Sequence, residues 1–497
     1  MTTPLPGRRR PLLLGLGGAV ALAWGGLLLL PALQRATSRD QLLALQERLA
    51  PPAAAGQARE AAPAPPLAAA LPMGVYWPGE YLQTDPANRR RIDWAEVERS
   101  LDDLAARHVT AIWLTHRTAA QTADFARRAG RRGIRVVASI AQLAGEVPQV
   151  RRGDHPRLIR DTLAAWGDAP RPLAWGLGDE PRTAYMNEMA AYVAAWRRQA
   201  PREPLTTVVM HRDVPAAAQV GFDALTTDVY PFFSRDNPNA YAGSKRRVWI
   251  SNVDRLRRLS PVPWMMGQAY QEPWGPIRLS PQGTIIYEPG SAPHWEMPTP
   301  PQVRWQTLAA VARGARGMFY FAYRVAPSPK LRRLPGASLP ARVSRSTDSG
   351  SPMGLVHLDG RPTAQLRAMG EAFGWVARHR SILAAVRLAP AAEQPLAPDA
   401  LASGHVASVF VRPSDGARFL MVVASYNPQK INGVAQAGPT PVPVLLGPQV
   451  TGLRSLDGSA ATPLAAGPRG QRTSVRLAPG TAALFALSVD RARLPRP

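Results

Sequence analysis

The sequence predicts an α/β fold: a (β/α)8 TIM barrel followed by a small C-terminal all-β, sandwich-like domain, with an N-terminal membrane helix ahead of both. Three observations predict it. From Leu71 onward, short apolar runs alternate with amphipathic helical runs, and the alternation repeats eight times, the pattern of a parallel sheet covered by helices. After about Ser381 the helical period stops, and short strands separated by Gly, Pro and Asp turns follow. At the other end, Pro11 to Leu33 carries no charge and is long enough to span a bilayer. The resulting boundaries are 1–35 for the anchor, 36–70 for a linker, 71–385 for the barrel and 386–497 for the β domain.

The elements follow in order. Arg8, Arg9 and Arg10 precede the apolar stretch and set its cytoplasmic side, so the rest of the chain is expected outside. No tidy A-x-A site follows, which favours an uncleaved anchor over a cleaved signal; "RRPLLL" also resembles a twin-arginine export signal, with Pro11 as a departure. The Ala/Pro-rich stretch 36–70 holds one expected helix, Asp40 to Leu49, and otherwise reads as a semi-rigid spacer. The barrel units then run "MGVYW" to "DWAEVERSLDDLAARHV", "AIWLT" to "AQTADFARRAGRRG", "IRVVASI" to "HPRLIRDTLAAWG" and "PLAWGLG" to "AYMNEMAAYVAAWRRQA". "LTTVVM", "FDALTTDVY", "VPWMMGQAY" and "RGMFYFAY" supply the remaining strands. A doubly wound open sheet is the competing layout, but no glycine-rich phosphate fingerprint opens the first unit. "HVASVFVRP", "RFLMVVASYN", "VPVLLG", "TSVRLAPG" and "TAALFALSV" make up the β domain, which carries no catalytic constellation.

Composition narrows the function classes. The 497 residues carry a formal net charge of +25, which invites a nucleic-acid reading. Only Lys245, Lys330 and Lys430 are lysines, and the arginines are scattered rather than gathered into a basic run with aromatics, so no nucleic-acid partner is expected. Such a charge still attracts acidic polymers, anionic polysaccharides among them. The absence of cysteine removes disulfides, thiolate zinc sites and cysteine nucleophiles. No His/Asp/Glu spacing suggests a metal, and no cofactor is called for. The oligomeric state stays open.

Barrel chemistry sits at the C-terminal strand ends, and strand side chains alternate faces. In the fourth strand Leu173, Trp175 and Leu177 form a bulky face, and Ala174, Gly176 and Gly178 a small one. The small face is expected to point into the barrel, with Glu180 continuing it and Asp179 on the opposite parity. Pro181 biases Glu180 toward an extended backbone. Capping the next helix is the bland role for the two acids, but Thr183 is a better cap and leaves both free. In the sixth strand Asp228 and Tyr230 share the inward parity of Ala224 and Thr226; in the seventh, Gln268, Tyr270 and Glu272 share one. An Asp that ties down a loop, or a Glu exposed in one, is the plain alternative. A glutamine in an apolar strand needs partners, and a sugar hydroxyl would serve. Trp77, Tyr230, Tyr270, Trp274 and Tyr323 crowd the same strand ends, as do Tyr81, Trp113 and Phe232. Flat rings with few polar groups between them suit the faces of sugars, although each ring alone fits a core equally well. His116 and His211 follow the second and fifth strands and are candidate hydroxyl binders. Insertions from Gly275 to Thr299 and from Arg324 to Pro352 are placed to act as lids.

The order of these features resembles barrel glycoside hydrolases of the clan A type. Their acid/base glutamate ends the fourth strand and their nucleophile ends the seventh, the positions of "WGLGDEP" and "QAYQEP". "TLAAVARGARGMFYFAY" and "GLVHLDGRPTAQLRAMGEAF" are similar to the passages around their eighth strand and eighth helix. The resemblance covers Leu71 to Pro497. It implies an exported hydrolase of poly- or oligosaccharides, with Glu180 as acid/base and Glu272 as nucleophile; Asp228 is the competing second carboxylate. About 5–5.5 Å between the pair implies retention and about 6.5–9.5 Å inversion. Two departures stand: Asp-Glu replaces the clan's Asn-Glu, and Glu272 lies just past its strand. Adjacent Asp-Glu also resembles family 20 hexosaminidases, in which the Asp orients the substrate's acetamido nucleophile and the Glu is the acid; that family's fuller "HxGGDE" context is missing. A non-catalytic polysaccharide-binding or exopolysaccharide-assembly role is the third reading.

Overall fold

The computed structural model describes residues 66–78, 92–140, 154–233, 245–274, 292–324, 354–357, 361–395, 404–427, 438–467 and 470–494, with short pieces at 277–279, 285–287, 289, 430–431 and 434–435. The expected anchor, the helix over Asp40 to Leu49, Tyr81 and the second insertion from 325 lie outside these residues. Among the described residues no helix is long and apolar enough to cross a membrane.

Eight parallel strands close into a barrel. They are β1 (Met73–Pro78), β2 (Ala111–Arg117), β3 (Arg135–Ile140), β4 (Ala174–Asp179), β5 (Leu205–Met210), β6 (Ala224–Asp228), β7 (Pro263–Gln268) and β8 (Gly317–Phe321), with β8 pairing back onto β1. The helices between and after them are α1 (Trp94–Ala106), α2 (Ala119–Gly130), α3 (His155–Trp166), α4 (Met186–Gln199), α5 (Val214–Ala217), α6 (Lys245–Leu259), α7 (Pro300–Ala312) and α8 (Ala364–Arg378). Local sequence explains several starts. Asp93 caps α1 by accepting from the Glu96 N–H, Thr118 and Gln121 form a capping box on α2, and Thr299 and Gln302 form another on α7, where prolines occupy the first turn. Each such cap is worth about 1 kcal/mol.

Alternation sorts the strand residues into two cores. Val75, Trp77, Ile112, Leu114, Val136, Trp175, Leu177 and Tyr320 face the helices. Tyr76, Trp113, Val137, Ala174, Val208, Ala224, Trp264, Met266 and Phe319 fill the barrel interior. The last five residues of the expected linker, Pro66–Ala70, form a short helix whose Leu67 joins that interior. A side chain at Gly176 would put its Cβ 2.6 Å from the Ser139 hydroxyl, so this small residue lets β3 and β4 approach.

The C-terminal domain holds a five-stranded antiparallel sheet, in the order Arg387–Leu388, Val406–Val411, Arg418–Val423, Ala482–Val489, Val450–Ser455, and a three-stranded one, Thr440–Leu446, Gly470–Leu477, Ala465–Gly467. Val409, Leu420, Val422, Val442, Val444 and Phe485 form its own core. Phe410, Phe419, Met421 and Tyr426 belong instead to the core shared with the barrel helices. The first insertion and the strand just before it make two hairpins, pairing Glu272–Trp274 with Ala292–Trp295 and Ile277–Leu279 with Ile285–Tyr287.

Candidate active site

The end of β4 departs from simple alternation. Gly176 pairs with Thr206 of β5, but the next pairing is Asp179 with Val208, so β4 carries one extra residue. Leu177 lies in the helix-side core, and a Cβ on Gly178 would meet Thr207, Met189 and Pro181. Two successive residues therefore face outward, and Asp179 takes the inward place beside Val208. Its Oδ2 accepts a hydrogen bond from the Tyr76 hydroxyl at 3.2 Å. Glu180 continues the ladder through its N–H to the Val208 carbonyl at 3.0 Å, and its φ is +50°. Both expectations for this stretch are corrected: the bulge brings Asp179 into the mouth, and Glu180 is left-handed rather than extended. That conformation costs a non-glycine residue on the order of 1–3 kcal/mol and collects at functional sites. Thr183 does not cap α4 either; its N–H and hydroxyl both bond the buried Asp213 carboxylate, and no side chain caps that helix.

Asp228 ends β6 only 9 % exposed, with Oδ1 lacking a hydrogen-bond partner. Burial, then the closeness of Glu180 and the charge of Asp179, hold its carboxyl well above the usual carboxylate range. The Tyr76 phenol is pushed up by burial and by Asp179, and the Tyr230 phenol by burial and by Asp228. Asp179, Glu180 and Asp228 thus form one carboxyl cluster.

An aromatic wall adjoins the cluster. The ring of Tyr230 lies 5.1 Å from Tyr270, 5.6 Å from Trp295 and 5.7 Å from Phe321; Phe321 lies 4.9 Å from Tyr270 and 5.1 Å from Tyr76. Tyr230 and Tyr270 stand where strand parity placed them. Trp77 and Tyr323 do not: they pack on each other at 4.5 Å, and Trp77 meets Phe125 of α2, on the helix side. By parity the inward neighbour of Trp77 is Tyr76, and Gly74, two residues before it, is the small-residue sign that would have found it; Tyr323 shares the parity of the inward Phe321 but lies beyond the end of β8. Trp295 comes from the insertion, where no periodicity marks it. Gln268 is fully buried and bonds only backbone: Oε1 accepts from Phe232 N–H at 2.8 Å, and Nε2 donates to the carbonyls of Phe232 and Glu296, each at 2.8 Å. It ties together the backbone that carries the wall.

Glu272 is half-buried and pairs directly with Trp295 across the first hairpin, so the two side chains leave the same face. That face carries the Trp295 ring against Tyr230 and Tyr270. His211 follows β5, and its carbonyl accepts from Arg255 of α6. The side chains of His116 and Trp274 lie outside the described residues. Among the described residues no group of His, Asp and Glu is arranged to hold a metal ion.

No family model and no curated protein matches the chain. Among solved structures, the exo-β-1,4-mannosidase Op5Man5 from Opitutaceae bacterium strain TAV5 superposes at 16% identity and a TM-score of 0.41, over 62% of this chain and 60% of that one. A β-glucuronidase from Ruminococcus gnavus gives 13% identity and 0.42, over 60% of this chain and 49% of that one. A family 5 mannosidase from Rhizomucor miehei gives 11% and 0.40, over 62% and 94%. The chain thus spans 60% of the length of the first of these structures and about half of the second.

Proposed function

We propose that the chain is a glycoside hydrolase acting on a poly- or oligosaccharide at the C-terminal mouth of the barrel. The observation that carries this reading is the convergence of Asp179, Glu180 and Asp228 beside the wall of Tyr76, Tyr230, Tyr270, Trp295 and Phe321. Rings bind the apolar faces of sugars, and a proton-bearing carboxyl is what departure of a glycosidic oxygen requires. Glu180 is the acid/base. It protonates the leaving oxygen, and Asp228 keeps the proton supply beside it. Glu272, on the face of Trp295, is the nucleophile in the main reading. The test is a panel of aryl glycosides and polysaccharides with the wild-type chain and Glu272→Ala. The variant should lose turnover, and azide should restore it with a glycosyl azide as product. Full activity in Glu272→Ala removes that residue from the mechanism, and a wild-type chain that binds but cleaves no panel member supports a polysaccharide-binding protein instead.

The bond from Tyr76 to Asp179 favours a second reading, in which Asp179 orients a 2-acetamido group of the substrate and that group is the nucleophile. Here Asp179→Asn should depress turnover of 2-acetamido glycosides far more than that of their 2-hydroxy counterparts. An equal loss on both classes argues against it. The uncharged stretch from Pro11 to Leu33 behind three arginines supports placing the barrel outside the cytoplasmic membrane. Protease added to spheroplasts should then digest the barrel, and protection would reverse the orientation.

A further inference from the structure

We propose that the C-terminal β domain is a positioning part of the active site, with Tyr426 bracing Phe232 from behind and thereby setting the aromatic wall. This rests on the barrel mouth being the site.

Tyr426 follows the strand Arg418–Val423 and stands where the domain meets three barrel elements. Its ring meets Phe232 edge-on at 5.6 Å and Trp305 of α7 at 5.2 Å. The Arg246 guanidinium of α6 lies 5.8 Å over the same ring and bonds the Ser425 hydroxyl at 3.1 Å. Trp305 Nε1 donates to the Gly404 carbonyl at 2.9 Å. Phe232, 1 % exposed, is two residues from Tyr230 and four from Asp228. Both backbone polar groups of Phe232 are held by the Gln268 amide, which also holds the carbonyl next to Trp295. The Gln268 backbone is in turn bonded by the Gln306 amide, at 2.8 and 2.9 Å, beside Trp305 on α7.

Two paths therefore run from the β domain to the wall. One passes ring to ring through Phe232; the other passes along α7 through Gln306 and Gln268. The polar members are buried and bonded, so none can shift without breaking a bond. The packed rings leave no space to absorb a displacement.

The experiment compares Tyr426→Leu, Tyr426→Phe and Val444→Ala in the full chain. Val444 lies in the β domain's own core and controls for general loss of stability. Tyr426→Leu should speed hydrogen exchange in peptides covering 229–233 and 268–270. It should also lower kcat about tenfold or more, with a smaller change in KM, as misplaced reacting groups do. Tyr426→Phe keeps the ring and should restore both. Val444→Ala should lower the melting temperature without speeding exchange at 229–233. Unchanged exchange there in Tyr426→Leu, raised exchange with unchanged kcat, or an equal rise in Val444→Ala overturns the proposal. Should the wild-type chain cleave no glycoside, the exchange data still decide the coupling, and only the hydrolase reading falls.

Discussion

Glu180→Gln should lower kcat by about 10²–10⁴-fold on glycosides with poor leaving groups, the usual worth of a positioned general acid. The loss should shrink on aryl glycosides whose leaving group needs no proton. Three observations single out this carboxyl. It is exposed at the barrel mouth, it lies close enough to the buried Asp228 to raise that carboxyl's pKa, and a left-handed backbone holds it there. Glutamine matches the shape and adds no charge, so the fold should survive. Thermal melts will show this, and kinetics on paired good and poor leaving groups will read the effect. Equal rates for variant and wild type on both would take Glu180 out of the chemistry.

The barrel was legible because its signal is repeated. Eight apolar runs with helical intervals admit few layouts, and the N-caps Asp93, Thr118 and Thr299 are written in the sequence where their helices begin. The site was legible at β6, where no bulge interrupts parity between Ala224 and Asp228. It failed at β4 because one extra residue between Gly176 and Asp179 exchanges inside for outside, and nothing in "WGLGDEP" marks an insertion. At β1 the larger Trp77 stands one residue from the inward Tyr76, and after β8 Tyr323 keeps the parity of Phe321 but lies past the strand end, so Trp77 and Tyr323 drew attention that belonged to Tyr76 and Phe321. Gln268 was legible as a group needing partners, but those partners are backbone atoms of loops far along the chain. A sequence shows that a buried amide must be satisfied; only the fold shows by what.

Asp228→Asn should raise stability at neutral pH while narrowing the pH range of activity. In the unfolded chain Asp228 titrates near 3.8, and in the folded chain well above it. Between those two values the folded chain holds a proton that the unfolded chain has released. Stability from this group is therefore full below 3.8 and is lost as the pH rises through the folded value, at about 1.4 kcal/mol per unit within the window. Asparagine does not titrate, so melts taken from pH 4 to 8 should show a flatter decline than wild type. Activity should move the other way. With two carboxyls in contact, ionising one opposes ionising the other, and that opposition keeps an acid at the site as the pH rises. Removing Asp228 removes it, so the alkaline limb of the kcat/KM profile should move to lower pH. An unchanged pH dependence of melting would mean that Asp228 is not the buried acid. An unchanged alkaline limb would mean that its proton does not serve Glu180. Gain in stability joined to loss in pH range is the pattern of a carboxyl kept buried for its chemistry rather than for the fold.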